Sequence, residues 1–273
     1  MLSKLILVLI MIQSLAFFTH GFTQQSSKFW KSSNGRKFTS STVAHGFARS
    51  SKLLCTVAPI DLFSDWAASG RDEVMADGHR PAVREMMETL LSHERIANTQ
   101  AFSFVDIGCG NGWVALEMSL NEKCTKVLGV DGAKEMIKKA RKSLPENERS
   151  EKVSFHQVDI SDWTPSEKLD VAFSMECLYY LQPKQISSFF QSLASSWMKE
   201  DGLFIMGIDH YYENSDCHSW AELNKTHMTL WTERKWKEEV EKEFDVVKQW
   251  RAANRDGMKE GTLVILAKKR KDN

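Results

Sequence analysis

The chain has 273 residues and a formal net charge of zero at pH 7, with 36 Lys and Arg against 36 Asp and Glu. Residues 1–60 contain seven Lys and Arg and no acidic residue, which leaves a net charge of −7 for residues 61–273. An acidic body argues against nucleic acid as the main partner, because phosphate binding needs clustered cations. We interpret the basic run Lys268–Lys271 as a solvated tail.

The number and spacing of the cysteines indicate which redox compartment and which metal sites are compatible with the chain. They are odd in number and widely spaced, and they form no C-x-x-C pair: Cys55, Cys109, Cys124, Cys177 and Cys217. This usage favours a reducing compartment and predicts no metal site.

The first segment, Met1–Phe18, has one charged residue, Lys4, followed by a continuous apolar stretch. That stretch is about 14 residues long, which is short for a membrane span and typical of a signal-peptide core. Small residues at positions 14 and 16 favour cleavage after Ala16, which would expose Phe17.

Residues 17–55 are rich in Ser and Thr, basic and free of acidic residues, which is transit-peptide composition. A signal peptide of about 1–16 followed by this segment resembles the bipartite plastid presequence of algae with complex plastids. We therefore predict that residues 1–55 are disordered or removed, that 56–273 form the folded domain, and that the protein resides in a plastid. The secretory pathway, the mitochondrion and an uncleaved anchor are the alternatives.

Residues 61–91 are predicted to form two helices. Asp61 is a capping carboxylate, and apolar residues follow it at helical intervals. Gly78-His79-Arg80-Pro81 is expected to break the chain, with Pro81 at the start of the second helix.

The most informative pattern begins with an apolar run, Phe102–Ile107. Glycines follow it at alternate positions, Gly108, Gly110 and Gly112. The pattern predicts a buried parallel strand, a sharp turn that lies close to a ligand, and a helix over 114–120.

Three further apolar runs end in an acidic residue: Val127–Asp131, Val153–Asp159 and Asp170–Glu176. They predict parallel strands whose carboxyl ends meet at one edge of a sheet, where ligands bind. The other predicted elements are helices over 133–142, 184–198 and 232–244, a fifth strand over 202–209, and closing strands over 245–252 and 261–268.

An acidic residue followed by Gly-x-Gly-x-Gly, with acidic residues at the next strand ends, resembles the class I S-adenosylmethionine-dependent methyltransferases. The resemblance covers roughly residues 61–273. It implies an α/β fold with a doubly wound, mostly parallel seven-stranded sheet of order 3-2-1-4-5-7-6, helices on both faces and N-terminal lid helices. It also implies S-adenosylmethionine as cofactor.

The resemblance gives several residues a role. Asp131 would accept hydrogen bonds from both ribose hydroxyls, Asp159 would lie near the adenine amino group, and Met136 would cover the adenine. Arg71 would meet the cofactor carboxylate or an acidic substrate. The predicted cofactor site comprises Asp106, Gly108, Cys109, Gly110, Gly112, Asp131, Gly132, Met136, Asp159, Ile160, Ser174 and Arg71.

Substrate residues are expected at the ends of the fourth and fifth strands, where all four tyrosines of the chain lie. We assign substrate contacts to Tyr179, Tyr211, Tyr212 and Trp220. Aromatic faces attract cations, so the pocket could hold an amine or a sulfonium product.

Methyl transfer needs in-line alignment within a dry site. A hydroxyl or ammonium nucleophile must also lose a proton, whereas a thioether has none to lose. The catalytic candidates are His210, Glu176, His79 and Tyr180. His210 is preferred because it directly follows a strand end, although a structural histidine would fit as well.

A nicotinamide-dependent dehydrogenase is the remote alternative. Its glycine fingerprint is G-x-G-x-x-G, whereas position 113 is Trp. Tyr180 and Lys184 match the Tyr-x-x-x-Lys spacing of short-chain dehydrogenases, but Pro183 would break the helix that carries such a pair.

We therefore predict a methyltransferase that acts on a small molecule through an N, O or S acceptor, as a monomer or homodimer, without nucleic acid and without a membrane for the mature domain. The algal presequence suggests osmolyte or sulfur metabolism: an amine going to a betaine, or a methylthio acid going towards dimethylsulfoniopropionate. A protein methyltransferase and a non-catalytic S-adenosylmethionine-binding protein are the alternatives.

Overall fold

The structure, a computed structural model, describes residues 57–144, 149–214, 220, 225–252 and 260–271. The predicted presequence therefore lies outside the described residues. Residues 52–273 form one compact unit, and the following description is of that unit.

The centre of the unit is a seven-stranded sheet of order β3-β2-β1-β4-β5-β7-β6. Neighbours from β3 to β5 pair in parallel, and β7 pairs antiparallel with both β5 and β6. The predicted strand order is confirmed. The strands are β1 Phe102–Ile107, β2 Cys124–Asp131, β3 Val153–Gln157, β4 Leu169–Met175, β5 Met198–Ile208, β6 Phe244–Ala252 and β7 Thr262–Lys269.

Helices cover the sheet and its carboxyl edge. The helices are α1 Pro59–Ser69, α2 Arg71–Ser92, α3 Glu94–Ala97, α4 Trp113–Met118, α5 Lys134–Lys142, α6 Arg149–Lys152, α7 Pro183–Ser192 and α8 Glu233–Val240. No helix in the described part of the chain is both long enough and apolar enough to span a membrane.

The predicted break at residues 78–81 is wrong, because Pro81 lies inside the 22-residue helix α2. The break falls instead at Gly70, which adopts φ = +75° and donates its backbone N–H to the carbonyl of Trp66. A left-handed glycine ends a helix at little steric cost. Pro81 has no N–H, so one intrahelical hydrogen bond is missing. Packing of the buried face of α2 stabilises the helix despite this loss.

The connection between α7 and β5 also differs from the prediction of a single helix over 184–198. Helix α7 ends at Ser192, a wider π-helical turn follows over Leu193–Trp197, and β5 begins at Met198. Trp197, fully buried in this turn, packs edge-on against Phe189. The wide turn lets the large indole reach the core while the backbone stays helical up to the start of β5.

Alternate residues of the central strands enter two separate cores, one on each face of the sheet. In β1, Phe102 and Phe104 pack on one face, while Val105 and Ile107 pack on the other. A third cluster joins Trp66 of α1 to Met136 of α5. Helix α1 is thereby anchored over the carboxyl ends of β1 and β2.

Candidate active site

A cavity of about 400 Å³ lies at the carboxyl edge of the parallel strands, beneath helices α1 and α2. The strand order reverses between β1 and β4, and ligands of doubly wound sheets bind at this switch point. The cavity wall contains residues of the glycine turn, of the ends of β2 and β4, and of both lid helices.

The turn between β1 and α4 needs its glycines for different reasons. All three have positive φ: +72° at Gly108, +53° at Gly110 and +84° at Gly112. A Cβ on Gly108 would lie 2.4 Å from the sulfur of Cys177, so close packing alone forbids a side chain there. A Cβ on Gly110 would meet nothing closer than Met136 at 4.0 Å, so this glycine leaves cavity space free.

Asp131 lies at the end of β2, and both of its carboxylate oxygens accept hydrogen bonds from the backbone. Oδ2 accepts the backbone N–H of Gly110 at 2.9 Å, and Oδ1 accepts that of Ala133 at 2.7 Å. Burial raises the pKa of the carboxyl, and the two N–H donors oppose that effect. Because a carboxylate offers about four lone-pair sites, this side chain can accept two more hydrogen bonds from the cavity.

Asp106, at the end of β1, is 2% exposed. Burial first, and then the charge of Asp131, raise its pKa to about 8. Oδ2 of Asp106 and Oδ1 of Asn111 are both buried and have no hydrogen-bond partner among the described residues, and both side chains line the cavity. A ligand with N–H or O–H donors would complete these contacts.

Asp72 of α2 ties the lid to the glycine turn. Its carboxylate accepts Nδ2 of Asn111 at 2.9 Å and forms an ion pair of 2.8 Å with Lys139 of α5. Sequence reasoning missed this residue. The available signal was its position on the buried face of α2, where Asp72 and His79 are the polar members among small and apolar side chains.

Beyond the end of β3, the cavity wall is built by residues suited to an aromatic base. Met136 is 4% exposed and lines the cavity together with Ile160 and Asp159. Oδ1 of Asp159 accepts the backbone N–H of Ser161 at 2.9 Å, which fixes the carboxylate after the strand. A Cβ on Gly132 would lie 2.9 Å from Ile60, so lid helix α1 packs directly on this turn.

Glu176 follows β4 with φ = +56°, a left-handed conformation that is uncommon for residues other than glycine. It is buried, and Oε2 accepts the hydroxyl of Tyr179 at 2.8 Å. The same oxygen lies 3.6 Å from Nε2 of His210, and Oε1 accepts the backbone N–H of Asp209. The strained backbone thus aims a carboxylate into a buried polar cluster.

His79 of α2 lines the same end of the cavity. Its Nε2 lies 3.6 Å from Oδ2 of Asp209, which directly follows β5 and is fully buried. Sequence reasoning named His79 as a candidate but did not assign Asp209. No sequence signal pairs the two, because they come from distant parts of the chain.

Six aromatic side chains contact one another in a closed series that includes Tyr179 and His210, the neighbours of Glu176. Neighbouring ring centroids lie 4.5–5.8 Å apart along Trp66, Phe63, Tyr180, Tyr179, His210 and Trp220, which returns to Trp66. We call this set the aromatic circuit. Four of its members line the cavity: Phe63, Trp66, Tyr179 and Tyr180.

A family model described as a methyltransferase domain matches residues 104–202, from β1 to the first half of β5. The match covers the glycine turn and the ends of β2 and β4, and the sheet has the strand order expected from the sequence. The family-model match and the strand order together support the resemblance to the class I methyltransferases.

Curated relatives of this chain include trans-aconitate 2-methyltransferase of Escherichia coli O1:K1 / APEC. The identity is 30% over 118 residues, which cover 43% of this chain and 42% of the relative. The matching region thus spans about two fifths of the length of the curated relatives.

Solved structures share the fold. The methyltransferase complexed with the Trm112 activator of Haloferax volcanii aligns with a TM-score of 0.64 and 23% identity, over 77% of this chain and 98% of that one. The magnesium protoporphyrin IX methyltransferase of Synechocystis PCC 6803, solved with bound SAM, aligns with a TM-score of 0.54 and 16% identity, over 72% of this chain and 82% of that one.

Most residues predicted for the methyltransferase site lie together in the cavity wall. They are Asp106, Gly108, Cys109, Gly110, Asp131, Gly132, Met136, Asp159 and Ile160 for the cofactor, and His79, Glu176, Tyr179 and Tyr180 for the substrate and catalysis. Burial raises the pKa of Tyr180 to about 12, so its phenol is neutral at physiological pH and serves better as a donor than as a base.

Other predicted residues do not line the cavity wall. Gly112 packs on Phe155, Ser174 donates to the carbonyl of Ile107 at 3.2 Å, and His210 stacks on Trp220. The guanidinium of Arg71 lies over the rings of Trp66 and Trp220, at 4.2 and 5.7 Å. The roles assigned to these residues stay predictions.

Two predicted substrate tyrosines lie away from the cavity. The buried hydroxyl of Tyr211 donates towards the carbonyls of Glu260 and Gly261, beside the start of β7. Tyr212 is 58% exposed. Neither side chain lines the cavity wall, so a substrate contact would require a substrate that extends beyond it.

The thiols of Cys109 and Cys177 line the cavity, next to the glycine turn. Burial raises the pKa of both thiols well above the usual range. They remain protonated at neutral pH, which fits packing rather than nucleophilic catalysis.

Proposed function

We propose that this protein binds S-adenosylmethionine in the cavity and transfers its methyl group to a small molecule. The observation that carries the proposal is the pairing of the glycine turn with Asp131, whose carboxylate retains acceptor sites facing open space at Gly110. The match of residues 104–202 to a methyltransferase-domain model supports it. The curated relative that acts on trans-aconitate and the Synechocystis enzyme solved with bound SAM support a small acceptor and this cofactor.

Different residues of the chain would bind the different parts of S-adenosylmethionine. Asp131 accepts the ribose hydroxyls, Met136 and Ile160 cover the base, and Asp106 and Asn111 receive donors of the amino-acid portion. S-adenosylmethionine supplies the activated methyl group, and the protein aligns the nucleophile in line with it and excludes water. Helices α1 and α2 close the cavity from above.

The acceptor would lie inside the aromatic circuit, between the lid and the ends of β4 and β5. Aromatic faces and the carboxylate of Glu176 suit an alkylamine, whose methylation leads towards a betaine. A methylthio acid going to a sulfonium, towards dimethylsulfoniopropionate, suits the same rings. Both belong to osmolyte or sulfur metabolism of an alga.

The alternatives carry less support. A protein methyltransferase would need to admit a side chain past α1 and α2, and a non-catalytic S-adenosylmethionine-binding protein would use the same cavity without turnover. A short-chain dehydrogenase would place Tyr180 and Lys184 on one helix, whereas Tyr180 ends a 3₁₀ turn and Lys184 lies in α7.

Calorimetric titration of the purified protein with S-adenosylmethionine and S-adenosylhomocysteine tests the cofactor. Asp131→Ala removes the acceptor of both ribose hydroxyls. Because hydrogen bonds to a charged group contribute about 1.5–3 kcal/mol each, the affinity should fall by about 100-fold or more.

The matched control is Asp162→Ala, which removes an exposed carboxylate from the turn after β3 and should bind like the wild type. Circular dichroism verifies that each variant is folded. Equal affinity of Asp131→Ala and the wild type would remove the cofactor assignment. Labelled S-adenosylmethionine with amines, thioethers, phenols and carboxylic acids then identifies the acceptor.

A further inference from the structure

Three hydrogen bonds position Asp209, one to its carboxylate and two to its backbone. It is fully buried, and Oδ1 accepts the hydroxyl of Thr262 from the adjacent strand β7. The backbone carbonyl of Asp209 accepts Nδ2 of Asn214 at 2.8 Å, and its N–H donates to Glu176. These contacts leave Oδ2 directed at Nε2 of His79, 3.6 Å away.

His79 is the member of this pair that reaches the cavity. It lies on the buried face of α2, one turn beyond Ala76, and both residues line the wall. A contact of 3.6 Å is within ion-pair range. Such contacts are often long in ligand-free sites and tighten in the complex with substrate.

We propose that Asp209 positions His79 to accept the proton of the attacking nucleophile, so that the methylated atom is a nitrogen or oxygen that carries a proton, and not a thioether sulfur. The inference rests on the proposed methyl transfer. It assigns a positioning role to a residue that the sequence left unassigned, and it selects among the acceptors left open above.

The step balances without another reactant. The lone pair of an amine or hydroxyl attacks the methyl carbon, the bond between that carbon and sulfur breaks, and its electron pair stays on sulfur as the thioether of S-adenosylhomocysteine. The N–H or O–H proton of the acceptor passes to the imidazole of His79. The nearby carboxylate of Asp209 stabilises the imidazolium that forms.

The neighbouring groups favour His79 over the other bases. The carboxylate oxygens of His79's neighbours Glu176 and Asp209 lie within 4.8 Å of its ring nitrogen and of one another. Glu176 already accepts from Tyr179 and from the backbone of Asp209, and it faces His210 at 3.6 Å. His210 stacks on Trp220 and does not line the cavity, whereas His79 does.

One test needs no acceptor. The ring signals of histidine are followed by NMR as a function of pH in the protein with bound S-adenosylhomocysteine, and His79→Gln identifies the signal of His79. In Asp209→Asn the titration midpoint of His79 should move to lower pH by about 1 unit, because a nearby carboxylate favours the charged imidazole. His156, on β3 outside the cavity wall, is the internal control and should not move.

If Asp209→Asn does not fold, Thr262→Val takes its place. It frees the carboxylate from the hydroxyl on β7 and should shift the His79 midpoint by a smaller amount. An unchanged His79 midpoint in a folded variant overturns the pairing.

The second test uses methyl transfer from labelled S-adenosylmethionine to sarcosine, a phenol and 3-methylthiopropionate. We expect transfer to an N–H or O–H acceptor. His79→Gln should lower kcat by 10²–10⁴-fold with little change in KM. Asp209→Asn should shift the acidic limb of the profile of kcat against pH to lower pH.

Transfer to the thioether alone would overturn the proposal while leaving methyl transfer itself in place. Loss of turnover on EDTA treatment, restored by Mg²⁺, would also overturn it, since the same three side chains would then be ligands of a cation. If the wild type fails to bind S-adenosylmethionine in the calorimeter, the proposed function has failed, and the NMR shift still decides the pairing.

Discussion

At the scale of single residues, the carboxyl edge of the sheet concentrates buried acids. Asp106, Asp131, Glu176 and Asp209 each end or directly follow a parallel strand, and Asp106 and Asp209 are at most 2% exposed. A buried carboxylate is costly unless it is neutralised or hydrogen-bonded. Asp131, Glu176 and Asp209 are held by hydrogen bonds, whereas Asp106 keeps an oxygen without a partner among the described residues and has a raised pKa.

The pKa of about 8 at Asp106 predicts a pH-dependent stability. Between the unfolded value near 4 and this folded value, the folded chain holds a proton that the unfolded chain has released. The contribution of Asp106 is therefore fully present below about pH 4 and is lost as the pH rises towards 8. Asp106→Asn does not titrate, so its free energy of unfolding relative to wild type should rise by roughly 1 kcal/mol per pH unit between pH 5 and 8.

Urea unfolding of both proteins at pH 5, 6, 7 and 8 measures this difference. Asp162→Asn, which changes an exposed carboxylate, should run parallel to the wild type over the same range. If the curve of Asp106→Asn is also parallel to the wild type, the carboxyl of Asp106 titrates in its ordinary range and the physical argument is wrong.

At the scale of elements, the strands were predictable because burial on both faces leaves continuous apolar runs. The start of β5 was not, since residues 199–201 are polar and only Met198 of this stretch pairs with β4, before a register shift. The helix break was misplaced because Pro81 is a strong local signal, whereas the deciding feature was the left-handed backbone of Gly70. Tertiary packing on α2 outweighed the local preference.

Gly70 and Gly112 form a matched pair that separates backbone strain from packing. Both have positive φ, +75° and +84°. A Cβ on Gly70 would meet nothing within 4 Å, whereas one on Gly112 would lie 2.6 Å from the ring of Phe155 and 2.9 Å from Ala140. Gly70→Ala should cost about 1 kcal/mol from strain alone, and Gly112→Ala about 3 kcal/mol, because overpacking adds to the strain.

Denaturant unfolding of the two variants measures these differences. The midpoints give the loss of stability, provided that the slopes of free energy against denaturant concentration are equal. Equal losses would mean that Phe155 yields without cost. In that case Gly112 would be required for its backbone conformation and not for close packing of α4 and α5 on the sheet.

At the scale of the whole molecule, the site joins segments that are far apart in sequence. The lid helices come from residues 59–92, the glycine turn from 108–112, and the acids that face His79 from positions 176 and 209. Because strand ends converge at one edge, the sequence predicted which residues gather there. It could not predict contacts that depend on how α2 lies across the sheet, such as those of Asp72 and His79.

The charge asymmetry of the chain belongs to this scale as well. Residues 1–60 contain seven Lys and Arg and no Asp or Glu. This composition is typical of a targeting segment and not of a folded surface. We propose that residues 1–55 direct the protein to a complex plastid in two steps, first as a signal peptide and then as a transit peptide beginning at Phe17. Residues 1–55 fused to a fluorescent protein should accumulate in the plastid of an alga of this kind.

The matched variant of that fusion is Phe17→Ala, which changes the residue exposed by the first cleavage and leaves the apolar core and all cations in place. It should still enter the secretory pathway but stop before the plastid, and fluorescence microscopy distinguishes the two locations. Fluorescence of the unaltered fusion in the cytosol would contradict the signal peptide. Accumulation of the unaltered fusion in the medium would contradict the transit segment, and equal plastid import of both fusions would remove the role of Phe17.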